Sequence, residues 1–79
     1  MELSHLREQI DDIDQQLVEL FKKRMNVSAE VAEYKRQMGM AVLDASRERA
    51  LLAKVSELSG EEFEEYTRTL YATILELSR

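Results

Sequence analysis

Cysteine and proline are absent from the 79-residue chain, and glycine occurs only twice. Without cysteine the chain has no disulfide framework and no thiol nucleophile. The absence of proline and the scarcity of glycine favour long uninterrupted helices. A single histidine, His5, cannot form a zinc site by itself, so we expect it on the surface and predict neither a metal site nor a cofactor.

The charge balance and the apolar pattern argue against several partners. Eleven basic and sixteen acidic residues give a net charge of −5, which argues against nucleic acid as the main partner. No apolar run reaches the roughly 18 residues that predict a membrane span. The N-terminal sequence MELSHLREQI lacks the basic and apolar regions of a signal peptide. We therefore expect a cytoplasmic protein with one small helical domain, residues 1–79.

The apolar pattern predicts an all-α chain of three helices. The first extends from about residue 3 to about residue 37, where apolar residues recur at alternating steps of three and four. Gly39 is its predicted C-cap. Asp44 is the predicted N-cap of a second helix over about residues 45–58.

The second and third helices each carry one apolar face, which we expect to point inward. Ser59 followed by Glu62 is a capping-box pattern and predicts the start of the third helix. The two inward faces consist of Leu51, Leu52, Val55 and Leu58, and of Phe63, Tyr66, Leu70, Ile74 and Leu77.

The first helix is too long for its own chain to cover. At 1.5 Å per residue it spans roughly 50 Å, which exceeds the width of a compact globule of this size. Two short helices cannot cover the whole apolar stripe. We therefore expect association with a partner.

Polar side chains interrupt the stripe of the first helix. Arg24 stands where the spacing requires an apolar residue, and a buried cation costs several kcal/mol unless it is paired. Lys35 lies eleven residues on, close to three full turns and roughly 16 Å along the axis. With Ser28 and Val31 between them, the two cations predict a cationic pocket with an apolar floor. A structural ion pair or a register-setting seam residue would also explain Arg24, and an exposed charge would explain Lys35.

The other helices add further polar residues. Arg47 and Glu48 lie one turn before apolar residues of the second helix, so both continue its inward face. Ordinary solvation of a first helical turn is the alternative. Ser78 follows Ile74 by four residues and borders the inward face of the third helix.

Arg7 precedes Arg24 by seventeen residues, roughly 25 Å along the helix. One chain therefore cannot bring both to one small ligand, whereas an antiparallel partner helix crossing near residue 18 can. A surface pair of Arg7 with Asp11 is the alternative. The converging set suits a small, multiply anionic molecule and chemistry by orientation and electrostatics.

The segments LREQIDDIDQQLVELFKKRMNVSAEVAEYK and VLDASRERALL resemble the all-helical chorismate mutases, over essentially the whole chain. The combination L-R-x-x-I-D-x-x-D, an arginine with E-V and a lysine eleven residues on, and D-x-x-R-E carries the resemblance. It implies an intertwined antiparallel homodimer of three-helix chains with two identical sites. It also implies Claisen rearrangement of chorismate to prephenate, in phenylalanine and tyrosine biosynthesis, without a covalent intermediate.

The resemblance assigns the charge-bearing roles to three residues of the first helix. Arg7 from the partner chain and Arg24 from the same chain would hold the two substrate carboxylates. Lys35 would donate to the ether oxygen, where negative charge grows as the C–O bond breaks. Together with Glu48, Arg24 and Lys35 form the catalytic set.

The remaining implied substrate contacts lie after the first helix. Asp44 and Glu48 would flank the ring hydroxyl, Arg47 would stand at the pocket wall, and Ser78 would touch a carboxylate. The family usually has a glutamine or glutamate four residues after the serine, whereas this sequence ends at Arg79. We expect a longer parent protein, a last turn supplied differently, or a weak enzyme.

Three alternatives remain open on the sequence. An isochorismate-pyruvate lyase resembles this fold and has a similar cationic site. A non-catalytic domain of an aromatic-pathway enzyme would bind chorismate or prephenate as a regulator. A plain dimeric helical scaffold would leave Arg24, Lys35 and Glu48 unexplained.

Overall fold

A computed structural model describes residues 2–79, which form three α-helices and no strands. Helix α1 is Leu3–Gln37, α2 is Ala45–Ser59 and α3 is Glu64–Leu77. The predicted all-α chain with one long N-terminal helix is confirmed. Within the described residues, no helix is both long and apolar enough to cross a membrane.

The chain divides into two compact units. The first is Met1–Val31 and the second is Ala32–Arg79. The second unit contains both short helices.

Gly39 ends α1 as predicted. Its φ of +69° lies in the left-handed region that glycine adopts without strain. The N–H of Gly39 donates to the carbonyl of Arg36 at 3.2 Å, and the N–H of Met40 donates to the carbonyl of Lys35 at 2.8 Å. These two bonds form a Schellman motif. They fix Lys35 in the last turn of the helix.

Asp44 begins α2 as predicted. Its backbone is extended, with φ −132° and ψ 91°. Its Oδ1 accepts a hydrogen bond from the backbone N–H of Arg47 at 3.0 Å. The carboxylate therefore satisfies one of the unpaired donors of the first turn.

The predicted start of α3 at Ser59 is wrong. Ser59 is the last residue of α2, and its hydroxyl donates to the carbonyl of Ser56 at 2.9 Å. Gly60, with φ +78°, follows it, and α3 begins at Glu64 after Phe63, which makes no side-chain cap. A serine hydroxyl at a helix end can donate back to the preceding turn instead of capping the next helix.

Helices α2 and α3 pack against each other. Within residues 2–79 the buried residues are Val55 and Ser56, at 7% and 5% exposure. The Ser56 hydroxyl donates to the carbonyl of Leu52 and accepts from Nε of Arg68, both at 2.7 Å. A polar link between the two helices therefore lies beside the small apolar contact.

Much of the predicted inward surface is exposed in the single chain. Leu58 is 75% exposed, so its predicted inward position is wrong. The less exposed side of α3 carries Thr67, Tyr71 and Ser78, whereas the predicted apolar face is exposed in the single chain except for the partly buried Ile74. The exposed members of that face are Phe63, Tyr66, Leu70 and Leu77.

Helix α1 contains no buried residue. Its apolar stripe is open to solvent along the length of the helix. The exposed stripe residues are Leu3, Leu6, Ile10, Ile13, Leu17, Leu20, Val27, Val31 and Tyr34.

Candidate functional site

The seven predicted site residues fall in both units. The first unit carries two of them, Arg7 and Arg24. The second unit carries the other five, which are Lys35, Asp44, Arg47, Glu48 and Ser78.

The two arginines of α1 differ in exposure. Arg7 is exposed, whereas Arg24 is partly buried, as are its neighbours Met25 and Ser28. Val31, the predicted apolar floor, is exposed. The helix is continuous between the arginines, so their spacing remains roughly 25 Å along the axis. The first unit therefore does not bring Arg7 and Arg24 together.

Lys35 is partly buried at the end of α1. Its Nζ donates to the backbone carbonyl of Val42 at 3.4 Å. This length is above the usual range for an N–H···O bond, so the contact is weak. It nevertheless places the ammonium beside the segment that leads into α2, two residues before Asp44.

The first turn of α2 orients its charged residues differently. Glu48 is partly buried, with 25% of its side chain exposed, as its predicted inward position requires. Arg47 is exposed, so its predicted inward position is wrong in the single chain. The carboxylate of Asp44 is occupied in part by the helix cap.

Ser78 and Arg79 follow the last residue of α3, and Arg79 contacts the first turn of α2. Ser78 is partly buried, as predicted, and its hydroxyl donates to the carbonyl of Ile74 at 2.7 Å. Nη2 of Arg79 pairs with Oε1 of Glu48 at 2.5 Å. This pair connects the first turn of α2 to the end of α3, which shows that the two helices run antiparallel.

Sequence reasoning missed the contact of Arg79 with Glu48. Arg79 is the neighbour of Ser78, but its partner Glu48 lies 31 residues away. Helical periodicity and capping patterns report only local spacing, so neither could have found it. The contact between Arg79 and Glu48 is apparent only in the tertiary structure, where α2 pairs with α3.

One end of the α2–α3 pair therefore gathers groups of mixed charge. The Lys35 ammonium lies beside Val42, the Asp44 carboxylate caps α2, and Glu48 pairs with Arg79. Such a set can hold a ligand that has both an acceptor oxygen and a hydroxyl. Among residues 2–79, no group of three or more histidine, aspartate or glutamate side chains is placed to hold a metal ion.

The comparisons with known proteins all point to one family. The family model for chorismate mutase type II matches residues 6–79. A chorismate mutase of Methanocaldococcus jannaschii is 32% identical over 59 residues, which cover 75% of this chain and 60% of that protein. The T-protein of Enterobacter agglomerans is 42% identical over 52 residues, covering 66% of this chain and 14% of that protein.

A third relative agrees with these two. The T-protein of Haemophilus influenzae is 38% identical over 50 residues, covering 63% of this chain and 13% of that protein. No solved structure gives a significant match.

The extent of these matches differs between the family and the individual relatives. The chain spans less than two thirds of the length of each of the three relatives. The family match, by contrast, covers almost the entire chain and includes all seven predicted site residues. The chain therefore belongs to the chorismate mutase type II family.

Proposed function

We propose that this chain catalyses the Claisen rearrangement of chorismate to prephenate, a step of phenylalanine and tyrosine biosynthesis. The observation that carries the proposal is the family match over residues 6–79. In the reaction the C–O bond of the ether breaks while a new C–C bond forms, and no atom is gained or lost. No proton transfer is needed, so the protein contributes through orientation and electrostatics.

Lys35 supplies the interaction that changes most during the reaction. Negative charge grows on the ether oxygen as the C–O bond breaks, so an ammonium aimed at this oxygen binds the transition state more strongly than the substrate. Such differential binding lowers the barrier. The position of Lys35 supports this role, because the Schellman motif fixes its backbone and its side chain is partly buried. On binding, the substrate oxygen replaces the weak Val42 contact.

The other residues of the second unit orient the substrate. We assign the ring hydroxyl to Asp44 and Glu48 and one carboxylate to Ser78. Arg47 stands at the wall of the pocket, and its exposure in the single chain fits a place at the rim. The gathering of Asp44, Glu48 and Arg79, the neighbour of Ser78, at one end of the α2–α3 pair supports these assignments.

The two carboxylates require a second chain. We propose an antiparallel homodimer in which Arg24 of one chain and Arg7 of the partner hold one substrate. Two observations support it. The stripe of α1 is exposed along its length, and the continuous helix separates Arg7 from Arg24 within one chain.

The proposal treats residues 1–79 as one functional domain acting in the cytoplasm. The family match crosses both units. We propose no cofactor, because the rearrangement is unimolecular, transfers no group to another molecule and neither oxidises nor reduces its substrate.

A product assay tests the function. The purified chain is incubated with chorismate, and the loss of chorismate is followed while the products are separated by chromatography. We expect prephenate to form in proportion to the amount of protein. A second incubation supplies isochorismate, and release of pyruvate there without prephenate formation from chorismate would assign a lyase instead. Chorismate binding without turnover would favour a regulatory domain, and either result would overturn the proposal.

A further inference from the structure

The ion pair between Arg79 and Glu48 has no role in the function described so far. Nη2 of Arg79 lies 2.5 Å from Oε1 of Glu48. Both residues belong to the second unit, and their side chains are 47% and 25% exposed. The pair therefore lies at the surface of that unit, with the carboxylate the more protected partner.

Stabilisation of the fold is a poor explanation for this contact. Exposed ion pairs contribute little, because water screens the charges and two long side chains lose rotamer freedom. Helices α2 and α3 are already joined by the more buried link from Arg68 to Ser56. The Arg79 contact does constrain the orientation of the Glu48 carboxylate.

We infer that Arg79 is a positioning residue for Glu48. It holds Oε1, so that Oε2 is the oxygen that accepts a hydrogen bond from the ring hydroxyl of the substrate. Its guanidinium also offsets a carboxylate charge that would otherwise repel a substrate with two carboxylates. The inference rests on the proposed function, because it assigns the Glu48 contact to that substrate.

The expected effect is on KM. The ring hydroxyl does not react, so its contact with Glu48 is equally strong in the ground state and in the transition state. Loss of such uniform binding raises KM and leaves kcat nearly unchanged. For a partly exposed charge pair we expect a rise in KM of about fivefold.

The experiment compares Arg79→Met with Arg68→Met in the full chain. Both changes remove an arginine that links α3 to α2, but Arg68 contacts Ser56 and Glu64 and no predicted site residue. We expect Arg79→Met to raise KM and Arg68→Met to lower only the thermal midpoint. Arg79→Lys should recover part of the loss, since an ammonium can hold one carboxylate oxygen.

A double change separates positioning from direct binding. In a Glu48→Gln background, Arg79→Met should have little further effect, because the residue acts through Glu48. An equal rise in KM in both backgrounds would mean that Arg79 contacts the substrate itself, and would overturn the inference. If the parent is active and Arg79→Met leaves KM unchanged, the inference is overturned while the proposed function remains intact. If the parent protein turns over no chorismate, the inference on Arg79 and the proposed function are both overturned.

Discussion

Replacement of Lys35 by alanine tests the mechanism most directly. The change removes an ammonium from the last turn of α1, beside Val42. About half an elementary charge growing at about 3 Å from the ammonium, in an effective dielectric of about 20, is stabilised by about 3 kcal/mol. This corresponds to a loss in kcat of about a hundredfold or more.

The assay is chorismate turnover, with helical circular dichroism as the measure of folding. Arg36→Ala is the matched control, since it removes a positive charge from the same helical turn. Arg36 is exposed and pairs with Glu33 at 3.4 Å. Each change should cost the helix end only about 0.3–1 kcal/mol of stability through the macrodipole. We therefore expect Lys35→Ala to lower turnover by about a hundredfold or more while Arg36→Ala retains it, with both circular dichroism spectra nearly unchanged.

Lys35→Arg should not restore activity. The planar guanidinium spreads its charge over a fork and cannot place one donor at the position of the ammonium. If Lys35→Ala instead keeps most of the parent activity, then the lysine is only a surface charge. The mechanism proposed above would then be refuted.

Three further predictions concern assembly and packing. Sedimentation at micromolar concentration should give about twice the 9.2 kDa chain mass, and a folded, active monomer would contradict the dimer. Arg7→Ala and Arg24→Ala chains, each inactive alone, should regain activity when refolded together, because one site of the heterodimer carries neither change; an inactive verified heterodimer would rule out the shared site. Ser56→Ala should lower the free energy of unfolding by about 1 kcal/mol, because it deprives Arg68 of its acceptor. Urea unfolding measures this loss, and Thr69→Ala, an exposed hydroxyl, should cost less.

Local signals in the sequence predicted the helix boundaries where one residue decides the backbone. Gly39 was recognisable as the end of α1 because few residues other than glycine adopt a positive φ. Asp44 was recognisable as a cap because its side chain reaches the first turn of α2. Ser59 misled because its hydroxyl has two possible uses, and the sequence does not show which one it takes.

Packing faces were harder to predict than boundaries. The sequence of α3 offers an apolar face through Phe63 and Leu70 and a mixed face through Thr67 and Tyr71. Periodicity favours the more apolar one, yet the chain leaves it exposed. Which face meets α2 depends on the geometry of the pair, and not on the hydrophobicity of α3 alone.

The residues of the candidate site also divide into those that local spacing reveals and those that only the tertiary structure reveals. Arg24, Lys35 and Glu48 were identifiable because each is a charged residue at a position that spacing assigns to an inward face. All three are partly buried. Arg79 was not identifiable, because its significance arises from a partner brought near by tertiary structure.

The scarcity of buried residues has a consequence for how this chain exists in solution. Among residues 2–79 the buried apolar side chain is Val55, and burying one such side chain contributes only about 1.5–3 kcal/mol. Ordering the backbone opposes folding by about 1–2 kcal/mol for every residue. On the proposed dimer, association therefore adds to the small contribution of this buried contact, and mass action governs the folded fraction. On that dimer, stability becomes a property of concentration, and a low protein concentration lowers the folded fraction.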